Sequence, residues 1–206
     1  MAISPAKKSR KPAPGAAAGP VASAQSKAST SERIASTHTE ELVIALCGPI
    51  GSPLHSVASE IQRMITDTFG YDKAEVIRLS DFIGDHAEKV QVEIPANDSF
   101  ERISAQIDAG NKLRERFGLS ILAELAVDKI RYEREEFKQE SNAQSFAPRR
   151  ICHIIDSVKN KEELAMLKLV YRDMLYVVGV FSPLTVRENN IAQRNHLSGG
   201  DVHTLI

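Results

Sequence analysis

The amino-acid sequence predicts an α/β fold, a doubly wound and mostly parallel sheet with helices on both faces. Three observations carry that prediction. Residues 42–47, 151–155 and 175–181 are short, nearly unbroken apolar runs, the first as expected of a parallel strand buried on both faces. Stretches with helical spacing separate these runs, and a further mixed run lies at 75–79. Strand and helix therefore alternate four times between residues 41 and 206, the pattern of a wound sheet. The first run leads directly into Gly48-Pro49-Ile50-Gly51-Ser52-Pro53, a glycine turn between strand and helix.

Each element follows from local rules. Val57, Ile61, Met64 and Ile65 recur at helical spacing. They predict a helix over 52–68 with Ser52 as its N-cap and Pro53 in the first helical position. Gly70 stops it. Residues 75–79 predict the second strand, with Ser80 and Asp81 at its carboxyl end. Residues 84–97 are polar, irregular and contain Pro95, which predicts a mobile loop. Phe100, Ile103, Ile107, Leu113 and Phe117 predict a helix over 99–117 that Gly110 interrupts. Leu122, Leu125, Ala126 and Ile130 predict another over 119–138, whose charged last turns at 131–136 read as a solvated face. The third strand ends in Asp156, a helix follows over 161–171, and Pro183 opens a last helix. There Arg187 and Arg194 lie about two turns apart, on one face.

The chain divides into a tail at 1–40 and one domain at 41–206. The tail is rich in Ala, Ser, Pro and Lys and carries six Lys/Arg against two Asp/Glu. Such a segment buries too little apolar surface to order itself and reads as disordered. The domain carries twenty Lys/Arg against twenty-five Asp/Glu, a balance that argues against a duplex-DNA partner. No apolar run reaches the ~18 residues of a membrane span, so no membrane partner is expected. Cys47 and Cys152 both sit in apolar runs and read as buried thiols in a reducing, cytoplasmic compartment. His38-Thr39-Glu40 has the H-x-E form of half a zinc deaminase site, but no C-x-x-C completes it, so no zinc site is predicted.

In a wound sheet, ligands bind outside the carboxyl ends of the strands. The 48–56 loop, Ser80-Asp81, Asp156-Ser157 and Ser182-Pro183 all arrive there. Gly48, Gly51 and Ser52 are candidate phosphate-binding residues, because glycine lets backbone approach a ligand and a helix start attracts anions. Counted from Gly48, the pattern G-x-x-x-x-G-K-[ST] meets Pro53, Leu54 and His55 at its three other defining positions. Ser56 is the nearest hydroxyl, one residue late. Losing the lysine's charged hydrogen bond weakens binding by roughly 10- to 100-fold and phosphoryl transfer by more, so no catalytic residue is assigned. Asp156 is a candidate magnesium ligand. Asp81 is a candidate partner for base or ribose, and Arg187 and Arg194 are candidate phosphate clamps. Each also has a plain structural reading: a capped helix start, a loop aspartate, arginines on a surface helix.

The order strand, G-x-x-G-S, helix, then VIRLSDFI, HIIDSVKNKEELAMLK, YVVGVFSP and Arg187 resembles the nucleoside-monophosphate kinase branch of P-loop proteins. The segments QIDAGNKLRERFGLSILAELAV and RICHIIDSVKNKEELAMLKLVYRDMLYVVGVFSPLTVRE are similar to the amino-terminal P-loop part of bacterial anti-phage dCTP deaminases. The resemblance covers about 41–194. It implies a P-loop kinase-like domain with a nucleotide-sensing or regulatory role in antiviral defence. In that family a carboxyl-terminal zinc deaminase follows and removes deoxycytidine nucleotides. Its zinc motif does not occur in this sequence. The expectation is therefore a nucleotide-binding regulatory domain, apparently incomplete at its C-terminus and not catalytic by itself. Its ligand would be a deoxynucleotide, with magnesium as an accompanying ion. Its partners would be a deaminase or a further domain, and the family likeness also suggests a homo-oligomer. Two other readings stay open. One is a nucleotide kinase or NTPase with an atypical loop, in which Arg187 or Arg194 replaces the missing lysine. The other is a protein-interaction scaffold with a decayed ligand site.

Overall fold

The computed structural model describes Ser29 and residues 39–97, 100–141, 149–195 and 199–206, the side chains of Arg194 and Asn195 excepted. The tail reading over 1–38, Ser29 apart, and the H-x-E triplet's His38 thus lie outside the described residues. The four strands are β1 (Leu42–Cys47), β2 (Lys73–Arg78), β3 (Ile151–Val158) and β4 (Leu175–Gly179). They form one sheet in the order β2-β3-β1-β4, with every pairing parallel. The helices are α1 (Leu54–Asp67), α2 (Leu79–His86), α3 (Phe100–Phe117), α4 (Ile121–Glu140), α5 (Lys161–Tyr171), α6 (Leu184–Asn195) and α7 (Gly199–Leu205).

Alternation along the central strands builds two cores, since successive side chains point to opposite faces. Ile44, Leu46, Cys152 and Ile154 pack with Leu54, Ala58 and Ile65 of α1. Val43, Ala45 and Ile155 pack with Leu113 of α3, Leu122, Ala126 and Ile130 of α4, and Leu167 of α5. Helices therefore cover both faces, as a doubly wound sheet requires. From β1 the chain passes over the place of β3 to form β2. After β3 it crosses β1 to form β4. The winding direction thus reverses between β1 and β3, and the crevice outside their carboxyl ends is a topological switch point.

Several local expectations need correction. Residues 84–90 are not an irregular loop. They complete α2 and a 3₁₀ turn at Ala87–Val90, because Ala87 and Val90 are buried in the core beneath Phe82 and Ile83. Gly110 does not interrupt α3, which runs unbroken from 100 to 117. A Cβ there would lie 2.9 Å from Ile83 Cδ1 and 3.3 Å from an Arg114 guanidinium nitrogen, so the glycine makes room for neighbours. The third strand does not end at Asp156. It continues to Val158 through a register shift against β1, where Leu46 pairs with Asp156 and Cys47 with Val158. Such bulges re-aim side chains near sites. Cys152 is buried as predicted, but Cys47 is only partly so; burial pushes the Cys152 thiol up to about 12.

The charged end of α4 is only half a solvated face. Arg131, Glu135 and Glu136 are exposed, while Glu133 and Arg134 turn inward. Arg134 meets Glu41 at 2.9 Å, and Arg149 bonds the same carboxylate. His153 Nε2 lies 3.1 Å from Glu41 Oε1. Glu41, Arg149 and His153 are all buried. Burial raises the Glu41 pKa, but hydrogen bonds with His153, Arg134 and Arg149 outweigh it and bring it down to about 2. Across the sheet's amino end, Glu75 accepts from Lys129 Nζ at 2.6 Å and Lys73 Nζ at 2.7 Å.

β4 is an edge strand. Tyr176 and Val177 are 59% and 42% exposed, and residues 175–181 contain no charge. No helix among the described residues is long and apolar enough to cross a membrane.

Candidate functional site

Three adjacent strands deliver their following residues to one cavity of about 550 Å³. Gly48, Pro49 and Ile50 come from the end of β1, Ser80 from the end of β2, and Lys159 from the end of β3. One wall is α3, which contributes Ile103, Gln106, Ile107, Gly110, Asn111 and Arg114. Ile83 of α2 and Leu205 of α7 complete the apolar part. The volume falls within the usual range for small-molecule sites, and an apolar lining with a few convergent polar groups is their usual chemistry.

The polar groups are held in place at the predicted start of α5, by cap contacts of Asn160 and Glu163 that were not among the expectations from sequence. Asn160 caps α5, its Oδ1 accepting from the Glu163 N–H at 2.8 Å. The Glu163 carboxylate then turns back, as in a capping box. Its Oε2 accepts the Lys159 backbone N–H at 2.7 Å. Its Oε1 accepts two bonds from the Arg114 guanidinium at 2.9 and 2.8 Å. One fully buried carboxylate thus fixes both the backbone that presents Lys159 and the side chain of Arg114. Gln106 donates to the Ser80 carbonyl at 3.1 Å and ties α3 to the end of β2. Lys159 Nζ lies 3.4 Å from the Gly48 carbonyl, and the side chain keeps an open face. The protein packed around its ammonium lowers its pKa; the fields of Asp156 and Glu163 work the other way. The signal for this arrangement was Lys159-Asn160-Lys161-Glu162-Glu163, separated by three residues from the third apolar run, an N-x-x-E helix start.

The predicted site residues fare differently. Gly48 lines the cavity, but neither Gly51 nor Ser52 does. A Cβ on Gly48 would lie 2.7 Å from the Val180 carbonyl oxygen, and one on Gly51 would lie 2.6 Å from that of Arg187. The close approach that these glycines permit is therefore to the protein's own backbone. Gly51 also has φ +81°. Ser52 does not cap α1. Pro53 holds the N-cap position and no side chain bonds there, while the Ser52 hydroxyl is buried with no hydrogen-bond partner among the described residues. Ser56 and Asp81 are exposed on the first turns of α1 and α2. Arg187 Nε donates to the Ile50 carbonyl at 2.7 Å, and Asn190 Nδ2 to the Gly51 carbonyl at 2.9 Å. Arg187 thus anchors the loop. The Arg194 side chain lies outside the described residues. Asp156 is half-buried in β3 between Leu46 and Arg78, with its field on Lys159.

Gly51→Val is expected to lower stability by about 1–2 kcal/mol from the left-handed backbone alone, and by more once α6 is displaced. A urea midpoint unchanged from wild type would contradict that packing.

A second cluster lies at the opposite end of the sheet. Glu75, Glu133 and His153 offer ligand atoms within 4.8 Å of one another. Glu75 is already paired with two ammonium groups, which bring its carboxyl down to about 2 against the effect of burial. The chemistry there is that of an ion-pair network. No protein-family model and no curated protein matches the chain, so the reading of the site rests on its own residues.

Proposed function

We propose that residues 41–206 form a nucleotide-binding regulatory domain, with the nucleotide in the cavity at the ends of β1, β2 and β3. One observation carries this reading: loops from three neighbouring parallel strands converge on a cavity that joins an apolar wall to basic side chains. Its setting, an anti-phage deoxycytidine-nucleotide deaminase system with a deaminase as partner or further domain, rests on the resemblance of 41–194 alone. Under this reading the domain binds and signals, and the chemistry belongs to the deaminase. Magnesium keeps several waters and needs only one or two protein carboxylates beside a ligand's phosphates; Asp156, half-buried in β3 and not among the residues that line the cavity, is the carboxylate to test for it.

A second reading has its own support. Both loop glycines are used in internal packing, and β4 presents a charge-free, exposed edge of the kind that pairs with another chain. A protein-interaction scaffold, including self-association, would use that edge. Of the two cations that the kinase or NTPase reading would put in place of Leu54, Arg187 is engaged with Ile50 and the Arg194 side chain lies outside the described residues.

The test is thermal unfolding of the whole chain with a panel of ribo- and deoxynucleotides, with and without magnesium. At a hundred times Kd a ligand contributes about 2.7 kcal/mol, which raises the midpoint of a domain this size by roughly 5–10 °C. A selective rise is expected, and a magnesium-dependent increment lost in Asp156→Asn would place the ion. No rise with any nucleotide at millimolar concentration would leave the scaffold reading.

A further inference from the structure

We infer that Lys159 is the phosphate-binding cation of this site, supplied from the end of β3 in place of the lysine that the loop after β1 lacks. This rests on the nucleotide-binding reading above and names the residue that would give it phosphate selectivity.

Four features support the assignment. Lys159 lines the cavity together with Gly48, Pro49 and Ile50. Its ammonium lies 3.4 Å from the Gly48 carbonyl, so it sits at the glycine turn itself, where Leu54 cannot place a charge. Leu54 is buried against the sheet in the α1 core. The Lys159 backbone is fixed by the Glu163 carboxylate at 2.7 Å, which limits the positions the ammonium can reach. The other cation in the cavity wall, Arg114, is committed to Glu163 through two bonds to one oxygen. Among the cavity-lining residues, Lys159 is thus the cation whose charge remains turned toward a ligand, and an ammonium on a flexible stem binds phosphate as a point charge.

The apolar wall of Ile83, Ile103 and Ile107 then suits the base, and the end near Gly48 the phosphate. A ligand lying this way would span from α3 to the glycine turn. Neutralising Lys159 should therefore cost only what the phosphate contributes, and leave base binding intact.

The experiment is calorimetric titration of the full chain with dCMP and AMP, each against its own nucleoside. Four proteins are compared: wild type, Lys159→Gln, Lys159→Arg, and Lys161→Gln as a control on a neighbouring exposed lysine. In wild type, removing the phosphate should weaken binding by about 10- to 100-fold. Lys159→Gln should bind nucleotide that much more weakly, bind nucleoside as wild type does, and unfold at the wild-type midpoint without ligand. Lys159→Arg should recover most of the affinity, and Lys161→Gln should lose none. If wild type binds nucleotide and Lys159→Gln binds it equally well, the assignment is wrong while the nucleotide reading stands. If Lys159→Gln loses nucleoside and nucleotide alike, the lysine acts by holding the loop, and the assignment is again wrong. If wild type binds none of the four compounds, both readings fail together.

Discussion

Glu41→Ala is expected to destabilise the domain by about 3–5 kcal/mol, the cost of breaking a buried ion pair and leaving one partner behind. The partner left is Arg149, whose side chain is 3% exposed and whose guanidinium also lies 3.1 Å from His153 Nε2. Arg134 loses its carboxylate as well, but at 35% exposure it can turn to water. The same group predicts an acid dependence. The Glu41 carboxyl titrates at about 2 in the fold against 4.5 ordinarily. Its contribution is therefore full above pH 4.5 and is lost as pH falls toward 2. Over that window the wild type should lose about 3 kcal/mol through this group. Glu41→Ala has no such group to lose, so the stability gap between the two proteins should narrow with acidification. Urea unfolding at pH 7 and at stepwise lower pH measures both effects. A gap that stays constant down to the acid end would remove the linkage, and a gap under 1 kcal/mol at pH 7 would remove the ion pair's role.

Ile154→Asp is expected to abolish folding. Ile154 is fully buried in β3, paired with Ile44 of β1 on one side and Val76 of β2 on the other. Removing the side chain alone costs about 2–5 kcal/mol. Desolvating a carboxyl with no cation in the α1 core, whether charged or protonated upward through its pKa, adds several more. Domains of this kind hold only about 5–15 kcal/mol in total. Circular dichroism of Ile154→Asp should show no cooperative transition. Ile154→Val, which keeps the strand and the apolar contact, should fold and lose only about 0.5–1.5 kcal/mol. A cooperative transition in Ile154→Asp near the wild-type midpoint would mean that β3 is not an interior strand of the sheet.

These two residues mark the range of what sequence can tell. Ile154 was readable as core, because it sits in an apolar run bounded by polar residues, and a buried parallel strand admits little else. Helix α5, predicted over 161–171, lies at Lys161–Tyr171 for a similar reason. Glu41 was not readable. A lone glutamate before an apolar run looks like a boundary, and its partners Arg134 and Arg149 are supplied by distant segments. Residues 84–90 were misread as loop because their polar residues outnumber the two small apolar ones, Ala87 and Val90, that the core takes up.

The sequence by itself determined the alternation of strand and helix, the burial of β1 and β3, and the place of a candidate site at the strands' carboxyl ends. Those follow from hydrophobic period and from the winding rule, both local. Only the tertiary structure decided which residues line the cavity there. Gly51 and Arg187 proved to meet each other, because α6 folds back over the loop. Lys159 and Arg114, forty-five residues apart in sequence, meet through Glu163 because α5 starts where α3 passes. A side chain's partner across the fold depends on packing that no neighbouring residue encodes. The loop could show that a lysine was missing, and only the folded chain could show where another one stands.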